Sequence, residues 1–311
     1  MQLFRAPIRA LRFARKLARA SGALTYAEQR EAPGTTFARF GRQIGLRLLR
    51  RGSQLGFQYL VTPVSITRYF EFEFVSAHIP RPSRHCLDVS SPRLFSLHSA
   101  AAHPEASVDM LNPDVEDAET SRSIVARLGF SNVRVRSDPV SSLKGKARTY
   151  DCIWSISVVE HIDGDDGDME AMQLMYRALR PGGRLIVTVP VDRTFWREYR
   201  DRDYYGTSRV ATPSGSYFFQ RLYDEKNVRG RLVNAVGQEP THISWFGERV
   251  AGTFYAYERR WIELGSDETI EDPRRIADDY GPFRSWAEMP GFGVCGLVFD
   301  KPTHGSSGST S

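Results

Sequence analysis

Cysteine is scarce. The 311 residues contain three, Cys86, Cys152 and Cys295, far apart and each inside an apolar run. An odd, widely spaced set excludes a disulfide framework and a cysteine-based zinc cluster, and it points to a reducing compartment. Long apolar runs are also missing. None approaches the ~18–20 residues that a membrane-spanning helix needs, so the chain reads as cytoplasmic, either soluble or peripheral to a membrane. Acid is missing locally: residues 1–51 hold 12 Lys+Arg and two Asp+Glu, while the other 260 residues hold 30 basic and 35 acidic groups. The basic balance therefore belongs to the first sixth of the chain. The remainder is mildly acidic, which excludes nucleic acid as the partner of the main body.

The basic stretch PIRALRFARKLARA, residues 7–20, is rich in helix formers. At helical spacing Arg5, Arg9, Arg12, Lys16 and Arg19 share one face, and Leu3, Ala10, Ala14, Leu17 and Ala18 the other. Three readings follow: packing of the Ala/Leu face on the main body, peripheral contact with an anionic membrane through residues 1–20, or a targeting peptide. Phe37, Phe40, Ile44 and Leu48 form a second helical stripe expected to pack. Domain boundaries are read as a basic helical segment at 1–60, an α/β domain at 61–302, and a disordered tail at 303–311.

From about residue 84, β-rich runs alternate with helical patterns. Strands are expected at His85–Val89, Ser107–Leu111, Val133–Arg136, Cys152–Ile156, Arg184–Val189, His242–Trp245 and Gly293–Phe299. Helices are expected near 92–102, 116–128, 167–179, 224–236 and 252–264. This order predicts an α/β fold with a doubly wound, mostly parallel seven-stranded sheet, whose ligands bind at the carboxyl ends of the strands. The loops after the first strands read Asp88-Val89-Ser90-Ser91-Pro92, then Asp109 through Asp114, then Asp138. Ser91-Pro92 suits a helix start with serine as N-cap. Two further stretches are YDCIWSISVVEHI (150–162) and LRPGGRLIVTVP (179–190).

In these stretches, over about residues 84–302, the chain resembles the class I S-adenosylmethionine-dependent methyltransferases. The resemblance implies a Rossmann-like fold and S-adenosylmethionine as cofactor. Asp88, Val89, Ser90 and Ser91 would then line the methionine part, Asp109 the ribose with Asp114 close behind, and Asp138 the adenine amino group. Ser155 and Ile156 would flank the sulfonium. The chain departs from the family in its first loop, which carries no glycine after Asp88, and serine enters φ > 0 only at a cost.

His161 lies where the cleft should open and could accept a hydroxyl proton, while Glu160 reads as structural. The run Asp163–Asp168 lacks calcium-loop spacing and reads as solvated capping, so no metal is expected. An aromatic, arginine-rich insertion at about 191–222 supplies Phe195, Trp196, Tyr199, Tyr204 and Tyr205. It is read as a lid that stacks on a ring or sugar, with a homodimer arm as the alternative. The expected activity is methylation of a hydroxyl on a small molecule or glycan. The competing reading is a catalytically inactive methyltransferase-like scaffold recruited to a membrane or partner.

Overall fold

The centre of the sheet forms from runs that are apolar on both faces. Tyr150–Ile156 and Leu185–Val191 bury every residue, which suits strands covered by helices on either side. The computed structural model describes residues 5–303 apart from 147 and 205–210, with the backbone alone at 5–9 and 266. The strands are β1 His85–Val89, β2 Ser107–Leu111, β3 Val133–Arg136, β4 Tyr150–Ile156, β5 Leu179–Val191, β6 Trp196–Arg200, β7 Tyr217–Leu222, β8 His242–Glu248, β9 Tyr280–Phe283 and β10 Gly293–Asp300. Eight of them form one sheet in the order β3-β2-β1-β4-β5-β10-β8-β9. Strands β1 to β5 pair in parallel, whereas β10 runs antiparallel to both β5 and β8. The order reverses between β1 and β4, where a doubly wound sheet opens a crevice. Seven strands were expected; the eighth, β9, adds an antiparallel edge beside β8.

The helices are α1 Arg5–Gln29, α2 Thr35–Arg50, α3 Leu55–Val61, α4 Arg68–His78, α5 Arg93–Ala102, α6 Val115–Leu128 and α7 Gly167–Ala178. After β7 come α8 Glu225–Asn227, a π-turn over Val228–Val233, and α9 Asn234–Val236, followed by α10 Thr253–Leu264 and α11 Asp272–Asp278. Helix α6 is closed at both ends by its sequence: Asp114 caps its start and Gly129, at φ 74°, ends it. One face of the sheet packs Phe37, Phe72, Val75 and Phe95 against Trp154, Ile186 and Val298. The other packs Met172, Met175 and Leu232 against Ile153, Leu185 and Leu297.

Helices α1, α2 and α4 contribute side chains to this core. A boundary at residue 60 therefore does not separate two bodies: α2 and α4 supply core side chains, and a Cβ on Gly296 of β10 would stand 2.5 Å from the Phe74 ring of α4. Helix α1 buries Ala20, Ala23, Leu24 and Ala27. Its cations, and Arg30 just beyond its end, meet acids about 250 residues away in the chain, Lys16 with Asp267 at 2.5 Å, Arg19 with Glu271 at 3.0 Å and Arg30 with Asp278 at 3.6 Å. Such exposed pairs contribute about 0–1 kcal/mol each, so the apolar stripe does most of the holding. Two of the five cations assigned to a membrane face are thus engaged within the protein. The tail from 304 lies outside the described residues. Among the described residues no helix is long and apolar enough to cross a membrane.

Candidate active site

Strand β1 ends in a loop that crosses to its neighbours through hydrogen bonds. Asp88 is buried; its Oδ1 accepts from the Ser91 backbone N–H (3.0 Å), and its Oδ2 bonds with the Ser96 hydroxyl (2.6 Å). Ser90 adopts φ 54°, and both its N–H and its hydroxyl donate to the Leu111 carbonyl at the end of β2. The loop therefore keeps the left-handed turn that glycine favours, with serine bearing about 1–2 kcal/mol of strain. Ser91 does not cap α5. Pro92 takes the cap position, and the Ser91 hydroxyl accepts from the Ile156 N–H at the end of β4 (3.0 Å).

Burial pushes the Asp88 carboxyl up to about 7, against the opposing bonds from Ser91 and Ser96. The folded chain then holds a proton that the unfolded chain releases near pH 4, so this group's contribution to stability falls as pH rises from about 4 to about 7. Asp88→Asn removes that proton uptake. Its stability relative to the parent should rise across this window by up to about 1.4 kcal/mol per pH unit, read by urea denaturation at several pH values. A pH-independent difference would contradict the assignment.

Around this loop lies a cavity of about 970 Å³, at the carboxyl ends of β1, β2 and β4. Ser90, Ser91, Ile156 and Ser157 line its floor. Its β2 side is lined by Asn112, Asp114 and Asp117. The Asp117 carboxylate accepts from Asn112 (2.8 Å) and pairs with Arg93, while Asp114 Oδ1 caps α6 through the Asp117 N–H (3.0 Å). The expected ribose partner, Asp109, is elsewhere. It lies beside Leu87, two residues short of the strand end, where it accepts from the Tyr150 hydroxyl (3.1 Å) and faces Arg134 (3.7 Å). Asp138 pairs with Arg136 at 2.6 Å, and its neighbours Pro139 and Val140 line the cavity instead. Ser155 is fully buried and donates to the Val89 carbonyl inside the sheet.

A second cavity of about 480 Å³ adjoins the first, and Arg68, Ser157 and His161 line both. His161 Nδ1 lies 2.8 Å from the Phe219 carbonyl, so it carries the proton and donates. That leaves the neutral ring's lone pair on Nε2, which is 3.7 Å from Glu160 Oε1. Glu160 is buried, its Oε2 has no hydrogen-bond partner, and burial pushes its carboxyl well up. Beneath Ser157 stands Glu71 of α4, fully buried. It accepts from the Ser157 hydroxyl (2.5 Å) and the Thr188 hydroxyl (2.7 Å) and pairs with Arg68. Sequence reasoning missed Arg68 and Glu71, because the run RYFEFEF shows no pattern that separates a buried glutamate from a solvated one.

The aromatic insertion folds as the β6–β7 hairpin. Phe195 packs on Tyr223, Tyr199 on Phe218 and Tyr204 on Phe219, and Trp196 is exposed; none of these four lines either cavity. Tyr205 lies outside the described residues. What the hairpin gives the second cavity is Gln220, while α10 gives Phe254, Tyr257 and Trp261. The acidic run is not solvated capping throughout, because Asp168 is buried among Arg221, Arg231 and Tyr223.

Residues 90–187, which carry this floor, match the family model described as a methyltransferase domain. The match spans 98 of the 311 residues. No curated protein matches the chain. Among solved structures, it is similar to the [4+2]-cyclase SpnF, at 17% identity over 76% of this chain and 80% of that one, with a TM-score of 0.46. It is similar also to coclaurine N-methyltransferase bound to N-methylheliamine and S-adenosylhomocysteine, at 13% identity, 75% and 70% coverage and TM-score 0.47. A third is geranyl diphosphate C-methyltransferase from Streptomyces coelicolor, at 14%, 75% and 76%, with 0.45. Within the matched segment, the loop after β1 takes a left-handed turn at Ser90.

Proposed function

We propose that the protein is an S-adenosylmethionine-dependent methyltransferase that acts on a hydroxyl of a small molecule or glycan, with the donor in the first cavity and the acceptor in the second. The observation that carries this reading is the shared wall at Arg68, Ser157 and His161, which would let two ligands meet. The lining residues suit the donor. Val89, Ser90 and Ser91 line the place for the amino-acid part, with the Ser90 and Ser91 N–H groups held by Leu111 and Asp88; Asn112 and Asp114 offer acceptors for ribose hydroxyls, and Pro113, Pro139 and Val140 offer an apolar wall for a base. The volume is that of a nucleoside-sized ligand.

When bound, S-adenosylmethionine supplies an electrophilic methyl group, and the protein's main task is to hold the acceptor in line with it. His161, with its Nε2 lone pair, takes the hydroxyl proton. Glu160, whose carboxyl burial pushes well up, stands with Oε1 3.7 Å from Nε2, beside the imidazolium that this transfer forms.

Calorimetry with S-adenosylmethionine should show saturable binding that Asp114→Ala weakens by about tenfold, the loss of one charge-assisted hydrogen bond. His161→Ala should lower methyl transfer by on the order of 10²-fold while donor affinity changes little. No heat at millimolar donor would overturn the reading.

A further inference from the structure

The mouth of the second cavity is unusually apolar on its outer side. Trp261 lines the cavity and is still 44% exposed, and further along α10 Ile262 is 71% and Leu264 59% exposed. Across the same cavity, Gln58 of α3 lines the wall, and its neighbour Phe57 is 41% exposed and holds the Phe13 ring of α1 edge-on at 4.9 Å. Leu11, at 54% exposure, lies half a turn before Phe13. The end of α10 and the free turns of α1 are tied together by the Lys16–Asp267 pair, since Leu264 stands three residues before Asp267, and Arg12 and Arg15 lie within about a turn of Lys16. Arg12 and Arg15 are exposed and make no ion pair among the described residues, and the chain has no acid before Glu28.

We propose that this rim docks on an anionic lipid surface, with α1 lying along the headgroups and Trp261, Ile262 and Leu264 entering them, so that the second cavity takes its acceptor from the bilayer as an amphiphile. Scattered exposed apolar residues are ordinary. Here they gather where a cavity opens, next to cations that pair with no acid among the described residues, which is the pairing an interfacial helix uses. The engaged cations Lys16 and Arg19 hold α1 to the domain, and Arg12 and Arg15 are left for the membrane. The identity of the acceptor as an amphiphile rests on the methyl-transfer reading; the docking surface does not.

The full chain is to be sedimented with phosphatidylcholine vesicles and with vesicles containing about one third phosphatidylserine. Binding to the anionic vesicles should be about tenfold tighter and should weaken as salt is raised. Ile262→Glu with Leu264→Glu, and separately Arg12→Glu with Arg15→Glu, should each reduce it by about tenfold, with thermal midpoints unchanged because all four side chains are exposed. Brominated lipid should quench tryptophan emission in the parent and much less in Trp261→Phe, which reports the cavity mouth itself. Failure to bind anionic vesicles overturns the proposal, as does full binding by either double variant or equal quenching in Trp261→Phe. Vesicle binding without donor binding would overturn methyl transfer and leave the surface standing, and donor binding without vesicle binding would do the reverse.

Discussion

Glu71→Ala is expected to destabilise the protein by about 3–5 kcal/mol, the usual consequence of removing one partner from a buried, hydrogen-bonded ion pair. The carboxylate joins three elements. Arg68 is on its own helix, Ser157 ends β4 and Thr188 lies in β5, and all three donate to it. Alanine leaves two buried hydroxyls without their acceptor and the Arg68 guanidinium without its counter-charge. Glu71→Gln keeps an acceptor oxygen and should recover part of the loss. Because Ser157 and Arg68 line both cavities, donor affinity should fall together with stability. Urea denaturation followed by calorimetry measures both, and a loss below about 1 kcal/mol would show that Glu71 is not the joint described.

Asp168→Ala should be of similar size, about 3–5 kcal/mol, and should act on a different part of the molecule. Its buried carboxylate accepts from Arg231 at 2.7 and 2.9 Å and from the Tyr223 hydroxyl at 2.8 Å, with Arg221 at 3.7 Å. Burial alone would raise its pKa, but the bonds from Arg231 and Tyr223 and the charge of Arg221 outweigh burial and hold it below the usual carboxylate range. The stabilisation is therefore present above the unfolded value near 4 and is lost as pH falls through the lower folded value. Parent and Asp168→Ala should converge in stability in strong acid and separate above about pH 4. A gap that stays constant with pH would contradict this. Arg221 also donates to the carbonyls of Glu160 and Ile162, so the variant should loosen the turn that carries His161.

Most of the sheet was legible in the sequence. β1, β2 and β3 fall on the expected residues, because β1 and β2 are short, mostly apolar runs and β3 alternates valine with arginine, all bounded by polar turns, and the helices between them follow the 3.6-residue spacing. β9 was not legible, since Tyr280–Phe283 is four residues long, contains Pro282 and gains strand character only by pairing with β8. Helices α3 and α4 escaped for the same reason that Glu71 did: their burial is decided by the sheet they meet, not by their own pattern. Asp109 does not reach the cavity although β2 ends where expected, because it lies two residues inside the strand and its carboxylate meets Tyr150 and Arg134 across neighbouring strands, contacts that no single run of residues displays. The docking of α1 depends on acids in and before α11, some 250 residues distant, so its basic face looked free when read alone.

The two strained serines, Ser90 and Ser157, stand at the ends of neighbouring strands β1 and β4, and each turns its hydroxyl inward, to the Leu111 carbonyl and to Glu71. Ser91 between them spends its hydroxyl oxygen on the Ile156 amide. The floor of the first cavity thus greets a visitor with main chain, which every residue type carries alike. A floor whose shape rests on main-chain geometry can drift in sequence while that shape is inherited, provided the left-handed turns survive. That freedom gives a physical reason why this loop could lose its glycines and still keep the form they once would have secured.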